Sequence, residues 1–232
     1  DPSATIDNGS CYFGQEIIIY EIDATNYYDW VYFSFESGEI VFTSCNMIDN
    51  EYDCSMNANV GCVWEPNLDP DEYSEPALYY RCHYDDVAAE NSMNWDIAFK
   101  RNHIKANGGL STNEIGDVCA VVDNSQEWTN DSFVSTDIFS DDLECQTDVL
   151  IVSSLGTTQG CYHPVDHVFK SCIKNPALDQ WGTFDLTNHL YPSNLQLFIK
   201  ALNGNYYKIW LKSYYDNGQG GNISMIYLPI NR

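Results

Sequence analysis

Two histidines are the residues best placed by type and spacing to do chemistry together. They are His163 and His167, in Cys161-Tyr-His163-Pro-Val-Asp-His167-Val-Phe-Lys-Ser-Cys172. On a helix, residues four apart share a face, so both imidazoles could meet one metal ion, or one could approach a haem iron. The stretch 161–181 is the best helix candidate: Pro164 suits a first helical turn, His163 could precede it, and Pro176 would end it. A bridge between Cys161 and Cys172 would hold the loop rigid. The alternative is two solvent-exposed loop histidines, because spacing alone is a weak signal.

The other candidates are weaker. His103, His83 and His189 stand alone, and a single histidine is more often structural or superficial. Met47, Met56, Met93 and Met225 matter only where a thioether ligates haem or copper, and Met225 alternates with core positions. The Asp/Asn-rich stretches 49–53, 69–75 and 137–144 could offer oxygen ligands to Ca²⁺, yet none has EF-hand spacing, and solvated acidic loops explain them as well. No G-x-S-x-G elbow and no H-E-x-x-H occurs, and carboxylates are too many to single out a glycosidase pair. The triplets at Asn8, Asn130 and Asn222 fit the N-glycosylation acceptor, a pattern that arises often by chance.

Composition narrows the partners. The 232 residues carry 10 Lys and Arg against 34 Asp and Glu, a net charge of −24. Nucleic acid and anionic membrane surfaces are disfavoured, since both reward a basic surface. Nine cysteines occur without a C-x-x-C pair, so zinc-ribbon, thioredoxin and c-type haem patterns are absent. Scattered cysteines of this kind indicate disulfides and an oxidising, extracellular setting. The first residues lack a signal-peptide pattern, as in a chain from which the signal has been removed.

The elements that must position these groups are strands. Aromatics are 14% of the chain, with 17 Tyr and 10 Phe, and favour sheet. The stretch 16–22 reads as a strand covered on both faces, and 30–44 as a hairpin turning at 36–39. Between Cys45 and Cys82 strand patterning stops, which suggests a stapled insertion with Cys54–Cys62 inside and Cys45–Cys82 at its base. The stretch 95–105 reads as a central strand, with Trp95, Ile97 and Phe99 on an apolar face and Asn107-Gly-Gly109 turning after it. Short strands follow at 118–122 and 149–153, around a polar stretch at 123–147. Alternation at 195–200, 207–212 and 223–227, with turns at Asn203-Gly204 and Asn217-Gly218, predicts a three-stranded meander. The expectation is an all-β, mainly antiparallel fold with one short helix and a disulfide-stapled insertion at about 45–82.

Several phrases carry a resemblance: Asp29-Trp-Val-Tyr-Phe-Ser-Phe35 leading into Gly38-Glu-Ile-Val41, then Trp95-Asp-Ile-Ala-Phe-Lys-Arg101 with Asn107-Gly-Gly109, then Tyr206-Tyr-Lys-Ile-Trp-Leu-Lys212 with the 217–221 turn. In order and wording they resemble the HmuY family, haem-binding proteins secreted or surface-anchored by Bacteroidetes. The resemblance implies a single β domain over 1–232 that captures haem or a related tetrapyrrole without catalysis, using two axial side chains, histidines or methionines. By order along the chain the later ligand falls near His163 to His167. The earlier one falls near 130–140, where this sequence has no His or Met. The partners implied are haem, a haem-carrying host or environmental protein, and an outer-membrane receptor. The alternative is a structural or adhesive surface or filament protein that uses the scaffold without haem and self-associates. A third reading is an acidic hydrolase or Ca²⁺-dependent carbohydrate binder. Four bridges, from Cys45, Cys54, Cys62, Cys82, Cys119, Cys145, Cys161 and Cys172, leave one cysteine over, and Cys11 in the N-terminal arm is the expected odd one.

Overall fold

The computed structural model describes residues 18–26, 29–41, 45, 48–68, 78–84, 86–112, 115–127, 144–154, 160–163, 168–187 and 189–230. Along the chain come β1 (Ile18–Asp23), β2 (Val31–Ser34), β3 (Glu39–Val41), α1 (Glu51–Met56), β4 (Cys62–Leu68), β5 (Leu78–Tyr84) and α2 (Asp86–Glu90). Then follow β6 (Ile97–Lys100), β7 (His103–Ala106), β8 (Cys119–Glu127), β9 (Val149–Ile151), β10 (Cys161–His163), β11 (Val168–Lys170) and β12 (Cys172–Lys174). The last are β13 (Gly182–Phe184), β14 (Leu190–Pro192), β15 (Leu195–Lys200), β16 (Tyr206–Asp216) and β17 (Gln219–Ile230).

Two antiparallel sheets face each other. One has the order β1-β17-β16-β15-β8 and the other β3-β2-β6-β7. The meander β15–β16–β17 forms as its alternation requires, and Asn217 and Gly218 both take positive φ in the turn between its last two strands. Ile97, Phe99 and Ile104 from the smaller sheet pack against Ile199, Ile209, Leu211 and Met225 from the larger. Phe35 stacks on Tyr207 at 4.6 Å and meets Tyr227 edge-on at 5.3 Å, closing one end of this core. β1 departs from expectation: it is a sheet edge, with Ile22 buried but Ile19 59% exposed.

The stretch 95–105 is not one strand. It is the hairpin β6–β7, which turns at Arg101 and Asn102. Arg101 holds a positive φ of 54°, uncommon for a side-chain-bearing residue, and the reason lies across the sandwich. Its backbone N–H donates to Ala24 O at 2.9 Å, and its guanidinium donates to Thr25 O at 2.9 Å and Gly220 O at 2.5 Å. Nor is one face of this segment polar. The backbone bends at Asp96 before the strand starts, so Trp95 lies with Ala98 in a second core while Ile97 and Phe99 lie in the first. The glycines after β7 are required by close approach: a Cβ on Gly108 would sit 2.2 Å from Val118 O, and one on Gly109 2.5 Å from Asp148 O.

The second core lies under the cysteine-rich insertion. Cys45, Cys54, Cys62, Cys82 and Ala89 close over Tyr32, Trp95 and Ala98, so the smaller sheet is buried on both faces. The Trp95 indole N–H donates to Ala89 O at 2.9 Å. The Lys105 ammonium sits among the rings of Trp30, Tyr32 and Trp95, 4.6–5.5 Å from their centroids, so its charge is buried against π faces. The expected pairing here is corrected. Cys45 bonds Cys62 and Cys54 bonds Cys82. Strand patterning does not stop in this region: β4 and β5 form a ribbon with Trp64 opposite Cys82, and α1 carries Cys54. A 3₁₀ turn over Ala58–Val60 and Gly61 at φ 92° separate Cys54 from Cys62, and the short Cys54–Cys62 link does not form.

Among the described residues the expected helix at 161–181 does not form. Tyr162 pairs with Phe169 and Ile173 with Leu150 in two short ribbons, and only Leu178–Trp181 forms a 3₁₀ turn. Cross-strand pairing, local within β10–β11 and reaching back to β9 from β12, outweighs the helical signals of two prolines. Cys11 lies outside the described residues.

A buried carboxylate also ties the two sheets. The Asp96 carboxylate, 2% exposed, accepts the Phe35 N–H at 2.7 Å and the Leu202 N–H at 2.9 Å. Burial raises its pKa, while these hydrogen bonds favour the charged form. Asp96→Ala would leave two buried N–H groups unpaired at about 1–3 kcal/mol each. Urea unfolding of this variant should show a loss of about 3 kcal/mol, with a smaller loss for Asp96→Asn, which keeps one acceptor. Peptide mapping of the oxidised chain should recover Cys45–Cys62 and Cys54–Cys82; a Cys54–Cys62 peptide would refute this arrangement.

Candidate functional site

His163 is the last residue of β10 and pairs in register with Val168 on β11. His167 lies outside the described residues. His163 thus ends a strand, where the sequence placed the start of a helix. What the structure builds at this place is a short hairpin beside a second ribbon.

The hairpin is held at its base. The Cys161–Cys172 disulfide, with Cα atoms 5.8 Å apart, ties the start of β10 to the start of β12. Ser153, just after β9, donates its hydroxyl to Phe169 O at 2.7 Å and its N–H to Ser171 Oγ at 2.9 Å. Gly160 enters β10 at φ 94°, and a Cβ there would lie 2.1 Å from Lys170 O, so the two chain segments can approach this closely only at glycine. Tyr162 and Phe169 meet edge-on at 5.6 Å across the hairpin. Leu150, Val152, Tyr162 and Val168 are all exposed, at 50, 61, 39 and 46%. Exposed apolar side chains on and beside these short strands are of the kind an apolar ligand face would meet.

The second ribbon, β9–β12, is fixed to the sandwich by two buried polar residues that the sequence did not single out. Asp148 precedes β9 and is 1% exposed. Both of its carboxylate oxygens accept the Ala106 N–H, at 3.0 and 2.8 Å, and the Ser111 hydroxyl donates to one of them. Asn175 follows β12. Its amide donates to Gln146 O at 2.9 Å, its carbonyl oxygen accepts from the N–H groups of Ala177 and Leu178, and its own N–H donates to Ile104 O. β7 therefore carries the ribbon through Ala106 and Ile104. Asp148 belongs to a run of acidic residues and Asn175 to a loop, so composition gave no signal; an Asn-Pro pair after a short strand was the one available hint.

The chain matches the HmuY protein family over residues 26–227. It belongs to the HmuY family. The scaffold is shared with solved structures at low identity. The apo HmuY analogue TFO of Tannerella forsythia superposes with a TM-score of 0.54 at 17% identity, covering 94% of this chain and 98% of that one. A protein of Bacteroides vulgatus described as an HmuY-like heme binder gives 0.53 at 18% identity, covering 98% and 97%. Apo PinO of Porphyromonas gingivitis gives 0.51 at 14% identity, covering 93% and 98%. No curated protein matches the chain.

Within this HmuY-family scaffold the remaining candidates sort by burial. His103 is 6% exposed and its Nδ1 has no hydrogen-bond partner; burial, then Lys174 and Lys100, lowers its pKa to about 3, so it sits neutral in β7. His189 stacks on Tyr215 at 4.4 Å in the β13–β14 loop. The side chain of His83 and the whole of Met47 lie outside the described residues. Met225 is fully buried, whereas Met56 and Met93 are exposed. Asn222 lies in β17 opposite Asp23, half-buried, with its amide donating to Gln219 O, an unsuitable setting for a glycan. Of the three acidic stretches, 49–53 caps α1: Asn50 Oδ1 accepts the Asp53 N–H at 2.9 Å and its amide donates to Asp49 and Asp53. The stretch 69–75, and 137–143 of the third, lie outside the described residues. Among the described residues no group of three or more His, Cys, Asp or Glu could hold a metal ion.

Asp148 and His103 set opposing pH dependences. Burial raises the folded pKa of Asp148 to about 7 against an ordinary 3.8, so the folded state binds the extra proton and Asp148 stability is lost as pH rises from about 4 through 7. The folded pKa of His103 falls from 6.5 to about 3, so its stability is lost as pH falls through that window. Urea midpoints of Asp148→Asn should rise with pH between about 4 and 6.5, and those of His103→Gln should fall between about 4 and 7. Flat profiles for both variants would contradict these ionisation states.

Proposed function

We propose that this chain is an extracellular, non-enzymatic binding protein that captures haem or a related tetrapyrrole, with His163 or His167 as an axial ligand. Membership of the HmuY family is the observation that carries the reading, and a relative of the same fold described as a heme binder supports it. The residues at the β10–β11 hairpin suit the group in kind. A porphyrin supplies four nitrogens of its own, so its iron needs one or two protein side chains and no cluster of ligands. Its flat faces favour contacts such as Leu150, Val152, Tyr162 and Val168. Haem when bound would supply the iron and the conjugated ring. The chain's own part is to offer an imidazole from a pinned hairpin, to bury the ring faces, and to hold the hairpin against the Asp148–Asn175 frame.

Four disulfides among the described residues support the extracellular setting, and the acidic composition is compatible with it. No helix among the described residues is long and apolar enough to cross a membrane.

Titration of the oxidised protein with haemin tests the reading. A Soret shift that saturates at one equivalent is expected, and His163→Ala with His167→Ala should weaken binding by about tenfold or more, at 1.4 kcal/mol per tenfold. No shift would leave a scaffold without haem. A shift untouched by the double substitution would move the ligand elsewhere in the chain.

A further inference from the structure

Three Asn-Gly pairs fall among the described residues: Asn107-Gly108, Asn203-Gly204 and Asn217-Gly218. An Asn followed by Gly is open to reaction with itself. Gly carries no side chain, so its backbone nitrogen can come close to the Asn side-chain carbonyl carbon. The fold must still supply an unengaged nitrogen, a side chain able to turn towards it, and water. The three pairs do not meet these needs equally.

Asn107 is 0% exposed. Its amide donates to Ser92 O at 2.9 Å and Trp95 O at 2.7 Å, and the Gly108 N–H donates to Ala106 O at 2.8 Å. Asn203 and Gly204 are exposed, yet both reacting groups are held. Asn203 Oδ1 accepts the Asn205 N–H at 2.9 Å, and the Gly204 N–H donates to Ala201 O at 2.9 Å. Asn217 and Gly218 are exposed as well, and neither the Asn217 side chain nor the Gly218 N–H has a hydrogen-bond partner among the described residues. A Cβ added to Gly204 or to Gly218 would meet nothing within 4 Å, so water reaches both turns and only the hydrogen bonds separate them. The turn at Asn217 is closed by the exposed pair Asp216 and Gln219.

We propose that Asn217 is a self-modifying site, which deamidates ahead of Asn203 while Asn107 stays intact in the folded chain. The Gly218 nitrogen attacks Cγ of Asn217 and a C–N bond forms. The bond from Cγ to the side-chain nitrogen breaks, and that nitrogen leaves as ammonia with the proton from Gly218, closing a succinimide ring. Water, the one co-reactant, then opens the ring. Breaking the ring bond at Cγ leaves Asp; breaking it at the main-chain carbonyl leaves isoaspartate, in which the backbone runs through Cβ and Cγ. Either product adds a negative charge, but only isoaspartate adds a backbone atom. It does so in a two-residue turn between the two longest strands, where Asp216 faces Gln219 and Tyr215 faces Gly220. Next in line are Gly220 O, which accepts from the Arg101 guanidinium, and Gly221 O, which accepts from the Ala24 N–H. Isoaspartate therefore loosens the end of the β16–β17 hairpin that these contacts grip.

The test incubates the full oxidised chain in heavy-oxygen water at mildly alkaline pH, then digests it in ordinary water and maps the label by mass. The peptide carrying Asn217 should gain label first. Asn203 should react about tenfold or more slowly, since two hydrogen bonds must open before it can. Asn107 should stay unlabelled. In the chain unfolded in guanidinium the three pairs should react at similar rates, which shows that the fold sets the order. Asn217→Gly, which keeps a residue at ease with positive φ, should remove the label from that peptide. Equal rates in the folded chain, earlier label at Asn203 or Asn107, or no label at Asn217 while the unfolded chain reacts would overturn the proposal. Hydrogen exchange then separates the two products. Aged protein holding isoaspartate should exchange about tenfold or more faster across 215–220 than fresh protein, whereas Asn217→Asp should match fresh protein. Unchanged exchange in the aged protein, or an equal increase in Asn217→Asp, would refute the loosening.

Discussion

The contact on which the rest of the structure depends is the Asp96 carboxylate between the two sheets. A sandwich core is apolar and tolerates sliding; two N–H groups from different segments, Phe35 and Leu202, converging on one buried carboxylate do not. The same residue sets the bend that sends Trp95 to one side of the smaller sheet and Ile97 to the other. Arg101 repeats the device at the far end of β6, where its guanidinium gathers Thr25 and Gly220. The four residues of β6 are thus pinned at both ends by buried or half-buried charge, and the apolar layers pack on a strand whose register is already fixed.

The smaller sheet is unusual in being covered on both faces. One cover is the larger sheet and the other is the insertion, whose contribution is four half-cystines, Ile48 and the ring of Trp64, with Ala89 of α2 beside them, rather than a large apolar stripe. Lys105 shows the cost of this arrangement. A lysine on a doubly covered strand has no route to water, and its ammonium is accommodated among three aromatic rings.

The sequence disclosed what is local. The meander was legible because Asn203-Gly204 and Asn217-Gly218 fix turns and long strands show their alternation. The hairpin β2–β3 was legible for the same reason. Three-residue strands such as β10, β11 and β12 are too short to show a period, and two prolines nearby mimicked helix signals, so 161–181 was misread. The turn at Arg101 depends on carbonyls of Ala24, Thr25 and Gly220, and no residue near 101 announces it. The same holds for Asp148, whose meaning comes from Ala106 and Ser111. At the candidate site the histidines were visible as residue types, while the hairpin was too short to show its alternation and the frame beneath it came from pairing at long range.

All four described bridges are short-range, joining residues 11 to 28 apart, and none crosses between the two sheets. During oxidative maturation each can therefore close within its own segment, before the N-terminal strand β1 has met its partner β17, the last strand of the chain. Covalent closure does not wait for the slow, long-range step, and a mispaired sandwich can reopen and try again without breaking a sulfur–sulfur bond.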